Sequence, residues 1–312
     1  MRILVSNVHL MEDWDRFKGI FEDRGIEVVL PPVNERLSED ELLQLITDID
    51  GIICGDDAIT AKVLAHANSL KVISKWGTGI DSIDKDACDD LGILLYNTPN
   101  AFTNPVADTT MGFILAISRR IVDANTYMHS GIWKKLPGKA LNELTLGIIG
   151  VGNIGKAVAR RAHVFGMTLL GNDPVEMPTE FLWQTDMEMV SKTRLLQESD
   201  FVSLHCDLNP TSRLVINRDD IVLMKPTAYL INTARGPLVN EVALILALQQ
   251  GWIAGAGLDV FENEPLNPDS VLIGMENVLL SSHNANTGYS AREAVHISTI
   301  NNLFRGLGCE TE

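Results

Sequence analysis

Three polar side chains stand where apolar runs of the sequence end: Arg235 after "AYLINTA", Glu264 within "LDVFENEP" and His283 at the end of "NVLLSSH". A guanidinium offers a planar fork that holds a carboxylate by two parallel hydrogen bonds. An imidazole gives or takes a proton near neutral pH, and a neighbouring carboxylate raises its pKa by favouring the imidazolium. Together these types suit the reduction of a carbonyl or the oxidation of an alcohol on a carboxylic acid. Arg235 would fix and polarise the acid, and Glu264 with His283 would serve as general acid or base. Taken singly each is ambiguous, because the chain has seven histidines and turn acids and capping arginines are common.

Such chemistry needs a hydride carrier, and the stretch "LTLGIIGVGNIGKAVARR" offers the turn for one. Gly150, Gly152 and Gly155 have the GxGxxG spacing, with Asn153 and Ile154 inside the turn. The glycines allow a tight turn, close approach of backbone to a pyrophosphate and close helix packing, while the helix N-terminus presents unpaired N–H groups. The next apolar run, "MTLLGND", ends at Asp173, 18 residues after Gly155, where a carboxylate accepts hydrogen bonds from an adenosine ribose. An NADP site would usually offer an arginine there, and Pro174, Val175 and Glu176 supply none. NAD is the expected cofactor.

The elements that must position these residues alternate in character. "RILVSN", "IEVVLP", "GIICG", "LKVISKWG" and "GILLYN" read as buried strands separated by helical patterns, among them "SEDELLQLI", where Ser38 and Glu41 make a capping box. A second series runs through "LTLGIIG", "MTLLGND", "DFVSLHC", "AYLINTA", "AGAGLDVF" and "NVLLSSH". The expected fold class is α/β, with two doubly wound parallel-sheet domains. Boundaries are expected to give segments 1–98, 99–284 and 285–312, the last a helix with no strand after it. Ligands bind outside the carboxyl ends of such strands, so the three polar residues of the second series would face the cofactor's crevice.

Composition narrows the partners. With 46% hydrophobic and 21% charged residues, 312 residues are enough for two folded cores. A net charge of −16 opposes binding to nucleic acid or to anionic lipid, while a few local cations can still hold a small anionic substrate. No apolar run approaches the roughly 20 residues needed to span a bilayer, and the N-terminus lacks a signal peptide's apolar region. The dispersed cysteines, Cys54, Cys88, Cys206 and Cys309, show no metal-ligand spacing. No metal is expected, and a cytoplasmic location with reduced thiols is.

The motifs "SKWGTGIDSID", "YNTPN", "GIIGVGNIG", "INTARGPLVNE", "GAGLDVFENEP" and "SSHNAN" together resemble the D-isomer-specific 2-hydroxyacid dehydrogenase family over nearly the whole chain. The resemblance implies a Rossmann-type NAD domain inserted into a flavodoxin-like substrate domain to which the C-terminal helix returns. It assigns Arg235, Glu264 and His283 as the catalytic set, places Asp259 near the nicotinamide amide, and has Thr98, Cys206, Thr233 and Ala234 line the cofactor. It makes the loop of Lys75, Trp76, Gly77, Thr78 and Gly79 close over the substrate carboxylate with its backbone N–H groups, Trp76 narrowing the pocket or packing under the loop. It also implies a homodimer, for which the helix "VADTTMGFILAISRRI" and the loop "SGIWKKLPGKA" are candidates, the helix alternatively being intrachain core.

Within the family the chain is most similar to short D-3-phosphoglycerate dehydrogenases without regulatory domains. Lys75 stands where these commonly carry an arginine facing phosphate. The expected substrate pair is therefore 3-phosphoglycerate and 3-phosphohydroxypyruvate, with glyoxylate, hydroxypyruvate or another 2-oxo acid as the alternative. A NAD(H)-sensing, corepressor-like binding protein is the rival class, and the intact catalytic set weighs against it. Departures from the family's pattern cluster near the histidine, with Ser282 before it and Asn284, Ala285 and Asn286 after it; Asp207 and Asp108 also differ from the usual residues.

Overall fold

The computed structural model describes residues 1–309. The chain divides into two compact units, one formed by Met1–Phe102 together with the segment from Thr287 onward, the other by Thr103–Asn286.

The first unit holds a five-stranded parallel sheet of β1 (Arg2–Val5), β2 (Glu27–Val29), β3 (Gly51–Cys54), β4 (Val72–Lys75) and β5 (Leu94–Tyr96), in the order β2-β1-β3-β4-β5. Every residue of β3 and β4 is buried, as expected of central strands covered by helices on both faces. The helix Glu39–Leu45 starts with the capping box read from the sequence, the Ser38 N–H donating to Glu41 Oε2 at 2.8 Å and the Glu41 N–H to Ser38 Oγ at 3.4 Å. A short helix, Val8–Glu12, was not legible from pattern because five residues hold barely more than one turn of periodicity; its N-cap is Asn7, whose side chain accepts from the Leu10 N–H. The last helix, Tyr289–Leu307, packs on this sheet, burying Ile300, Leu303 and Phe304 with Ile3 and Val72. The Ser74 hydroxyl donates to the Thr299 carbonyl at 2.8 Å, pinning that helix to β4.

The second unit holds β6 (Thr145–Ile149), β7 (Thr168–Asn172), β8 (Glu188–Met189), β9 (Phe201–Leu204), β10 (Tyr229–Asn232), β11 (Gly255–Leu258) and β12 (Val278–Leu280), all parallel, in the order β12-β11-β10-β9-β6-β7-β8. This is the Rossmann order, with the reversal at β6 between β7 and β9. β8 is an addition to the strands read from the sequence; two residues at the sheet's edge carry too little alternation to be seen.

The apolar helix Thr103–Ser118 buries Val106, Ala107, Met111, Phe113 and Ile114 and packs against the helix Asn153–Val164 and β10. That face of the helix is intrachain core. The helix stops before Arg120, which takes a left-handed conformation (φ 51°), and the following helix Ile121–His129 buries none of its residues. Among the described residues no helix is long and apolar enough to cross a membrane.

Candidate functional site

In the second unit the glycine turn leaves β6 with Gly150 at φ 89°, a conformation that favours glycine. A Cβ at Gly150 would lie 2.4 Å from the Cys206 backbone nitrogen, and one at Gly155 would lie 2.1 Å from the Gly150 carbonyl oxygen. These two glycines let the turn and its helix lie against the strand ends. Gly152 differs: a Cβ there would meet nothing within 4 Å, and as the N-cap of the helix Asn153–Val164 it makes no side-chain capping bond. The space beside Gly152 is open, and a glycine N-cap brings no side chain to the helix's first turn. Backbone and helix dipole at such a turn suit phosphate oxygens. Asp173, just past β7, accepts the Val151 N–H at 2.7 Å on Oδ2 and the Val175 N–H at 2.8 Å on Oδ1, which ties the acid to the glycine turn. The residues present fit a dinucleotide.

Across the reversal of strand order, Cys206 is mostly buried, and burial pushes its thiol up to about 11, so it is a wall and not a nucleophile. Thr233 is buried and its hydroxyl lies 2.9 Å from that of Thr110. Asn232, which sequence reasoning passed over, accepts the Ala234 N–H at 3.1 Å and donates to the Arg235 carbonyl at 2.9 Å. The only signal for it was an amide ending the apolar run "YLIN". One guanidinium nitrogen of Arg235 donates to the Ala234 carbonyl at 2.9 Å. The next residue, Gly236, has backbone so near that a Cβ would fall 1.8 Å from the Phe261 carbonyl oxygen, so the turn carrying Arg235 is pressed onto the turn carrying Glu264.

Glu264 divides its carboxylate between two tasks. Oε1 accepts the Phe261 N–H at 3.0 Å, and Oε2 lies 2.9 Å from Nδ1 of His283. An ionised carboxylate only accepts, so Nδ1 carries the proton in this bond. Both side chains are mostly but not wholly buried, 19% and 17% exposed for His283 and Glu264, as a site open to a small molecule requires.

His283 itself sits at φ 51°, and Asp259 holds it there. The Asp259 carbonyl accepts the His283 N–H at 2.7 Å, and its wholly buried carboxylate takes the Asn284 N–H at 2.8 Å, the Ala285 N–H at 2.9 Å and the Ser281 hydroxyl. The unusual residues around the histidine are thus spanned by one buried acid.

The remaining site residues expected from the sequence belong to the first unit. The Thr98 hydroxyl accepts the Gly77 N–H at 3.1 Å, its own N–H donates to the Gly77 carbonyl at 2.9 Å, and the Thr78 hydroxyl donates to the Thr98 carbonyl at 3.1 Å. Lys75 is buried, its ammonium 3.0 Å from Asp56 Oδ1 and 3.2 Å from the Trp76 carbonyl. Trp76 is buried too, its indole among the rings of His9, Phe102 and His296.

A glycine turn opening a helix at the switch point of a parallel sheet, with an acid–imidazole pair and an arginine on neighbouring strand ends, defines a dinucleotide-dependent oxidoreductase. Residues 111–285 match the model of the D-isomer specific 2-hydroxyacid dehydrogenase, NAD binding domain. The chain is 41% identical over 279 residues to a glyoxylate reductase from Thermofilum pendens, covering 86% of this chain and 81% of that one. It belongs to the D-isomer specific 2-hydroxyacid dehydrogenase family, and its cofactor is NAD. A D-3-phosphoglycerate dehydrogenase from Methanocaldococcus jannaschii is 39% identical over 83% of this chain and 50% of its own length, and further similar curated relatives include glyoxylate reductases from Korarchaeum cryptofilum and Thermococcus onnurineus and a hydroxypyruvate reductase from Thermotoga maritima. Among solved structures, D-lactate dehydrogenase from Aquifex aeolicus complexed with NAD and lactic acid superposes with a TM-score of 0.88 at 28% identity, over 99% of this chain and 96% of that one.

Proposed function

We propose that this chain reduces glyoxylate or hydroxypyruvate to the corresponding 2-hydroxy acid with NADH. The observation that carries the chemistry is the Glu264–His283 pair at 2.9 Å, next to the turn that presents Arg235. Two considerations move the substrate away from the phosphorylated acid expected at first. The names of the similar curated relatives are mostly glyoxylate or hydroxypyruvate reductase, and the lysine on which the phosphate reading depended is buried against Asp56.

Bound at the glycine turn, NADH supplies the hydride for the oxo carbon. The backbone N–H groups of the turn from Gly150 to Gly155, including Asn153 and Ile154, hold the pyrophosphate, Asp173 the ribose, and Cys206, Thr233, Ala234 and Thr98 line the cofactor. Asp259 serves by holding the histidine's turn. Arg235 grips the substrate carboxylate and draws electron density from the oxo group, and the backbone of Lys75–Gly79 assists with the carboxylate. The Nε2–H of His283 gives its proton to the forming alkoxide, while the Glu264 carboxylate stabilises the positive charge the ring carries before transfer. Read backwards, the same ring is the base for oxidation.

We further propose a homodimer, its contact including exposed Ile121, Val122 and Met128 of the helix that follows the core helix, together with Trp133, which is 83% exposed. A cytoplasmic location agrees with four free thiols.

The test is a panel of glyoxylate, hydroxypyruvate and 3-phosphohydroxypyruvate with NADH and with NADPH. The expected result is a higher kcat/KM with NADH for one of the two unphosphorylated acids. A tenfold advantage for the phosphorylated acid would overturn the substrate assignment. NADH binding without turnover of any 2-oxo acid would reject the enzyme in favour of a NAD(H)-sensing binding protein.

A further inference from the structure

Beneath the loop Lys75–Gly79, within the first unit, lies a polar chain that the proposed reaction does not use. The Trp76 indole N–H donates to Nδ1 of His296 at 3.0 Å, and Nε2 of His296 lies 3.1 Å from Asp13 Oδ2. The same Asp13 oxygen accepts from Nε of Arg292, one turn earlier on the helix of His296, at 2.9 Å. An indole nitrogen only donates, so Nδ1 must accept, the ring proton sits on Nε2, and Nε2 donates to Asp13. The direction of every bond is fixed, and the imidazole is neutral. Burial favours that state, pushing the pKa of His296 down. His296 is wholly buried and Trp76 nearly so, the indole lying among His9 and Phe102 at ring-centroid distances of 4.8 and 5.3 Å. A donor placed there is costly to leave unpaired.

Thr98 clasps Gly77 by two backbone-directed bonds. Gly77 sits at φ 129°, a torsion that residues with side chains rarely adopt. The Trp76 N–H donates to the Cys54 carbonyl at 2.9 Å, and Thr78 is held by Thr98 and Asn97, so the backbone of the loop is tied on both sides of the glycine pivot and the indole bond is what holds the Trp76 side chain.

We propose that His296 is a positioning residue for the substrate: by accepting the Trp76 indole N–H it holds the Trp76 side chain of the Lys75–Gly79 loop and thereby sets the KM for the 2-oxo acid. This rests on the assignment of that loop to substrate binding. His296 touches neither substrate nor cofactor in this role.

The experiment separates the two ring nitrogens. His296→Asn keeps an acceptor where Nδ1 stands and loses the bond to Asp13; His296→Gln keeps an N–H for Asp13 and loses the acceptor. Trp76→Phe removes the donor, identifies the indole resonance and serves if the glutamine variant does not fold. In full-length protein with 15N-labelled tryptophan, the Trp76 indole N–H resonance is expected to move and exchange faster in His296→Gln and to stay in place in His296→Asn. KM for glyoxylate is expected to rise about tenfold in His296→Gln and in Trp76→Phe, as for one lost hydrogen bond, with kcat within about twofold and NADH affinity unchanged. An unmoved indole resonance in His296→Gln would overturn the anchor and leave the proposed function standing. A moved resonance with unchanged KM would remove the loop from substrate binding and this proposal with it. Equal KM losses in both His296 variants would also overturn it, because they would show that any change at this buried position suffices.

Discussion

Both units put polar residues at the carboxyl ends of parallel strands, yet they use them in opposite ways. In the first, the polar groups at and beyond the ends of β3 and β4 are turned inward: Lys75 meets Asp56, Asp57 takes the Ser6 hydroxyl at 2.6 Å and the Gly55 N–H at 3.0 Å, and Trp76 is held by His296. In the second, the groups at the ends of β10 to β12 are braced from behind, with Asn232 under Arg235, Phe261 under Glu264 and Asp259 under His283, and the braced side chains remain partly exposed. The same layer architecture serves both arrangements. What separates them is whether the polar side chain is itself buried, like Lys75 and Trp76, or held from behind and left partly exposed, like His283 and Glu264.

The comparison can be broken most forcefully at His283. His283→Ala should lower kcat by about 10²- to 10⁴-fold, the usual worth of a general acid, while NADH affinity measured by fluorescence titration changes little. Equal losses in both would mean that the residue supports the fold of its unit and not the proton transfer.

Next in size is the contrast between left-handed glycines. Gly150→Ala meets backbone at 2.4 Å and a disallowed torsion and should cost about 2–4 kcal/mol of stability along with dinucleotide binding. Gly92→Ala in the first unit, at φ 69° with nothing within 4 Å, should cost only about 1–2 kcal/mol and leave binding intact. Thermal unfolding with and without NADH reads both.

A third test uses pH. Burial pushes His205 of the second unit down to about 3, whereas in the unfolded chain a histidine titrates near about 6.5. Above that value neither state binds the proton and the fold keeps its full stability. As pH falls below it the unfolded chain gains a proton that the fold refuses, so His205 alone should remove on the order of 1.4 kcal/mol per pH unit until about pH 3. Denaturant titrations from neutral pH to pH 5 should show a shallower decline in His205→Gln; an unchanged slope would contradict the burial argument. The smallest effect is reserved for Ser38→Ala, which removes one cap of a first-unit helix and should cost about 1 kcal/mol with no change in kcat.

Much of this was legible beforehand because it is local. The strands announced themselves as apolar runs, the cap by Ser38 and Glu41, and the phosphate turn by three glycines whose spacing is their function. What stayed hidden was either too short, like β8 and the helix Val8–Glu12, or depended on distant partners. Lys75 is the instructive case: from its type and place it was a cation for a phosphate, and nothing in the adjacent sequence said that its ammonium would be buried with Asp56 3.0 Å away.

The amino-acid order alone thus showed the two α/β arrays and the glycine turn, since each follows from periodicity or spacing within one or two elements, while the arginine, glutamate and histidine were singled out by their places after apolar runs together with the family resemblance. The tertiary structure alone decided that Glu264 and His283 meet across 19 residues and Trp76 and His296 across 220. A hydrogen bond exists only within a few tenths of an ångström and at the right angle, and the folded chain fixes such distances where the linear one does not.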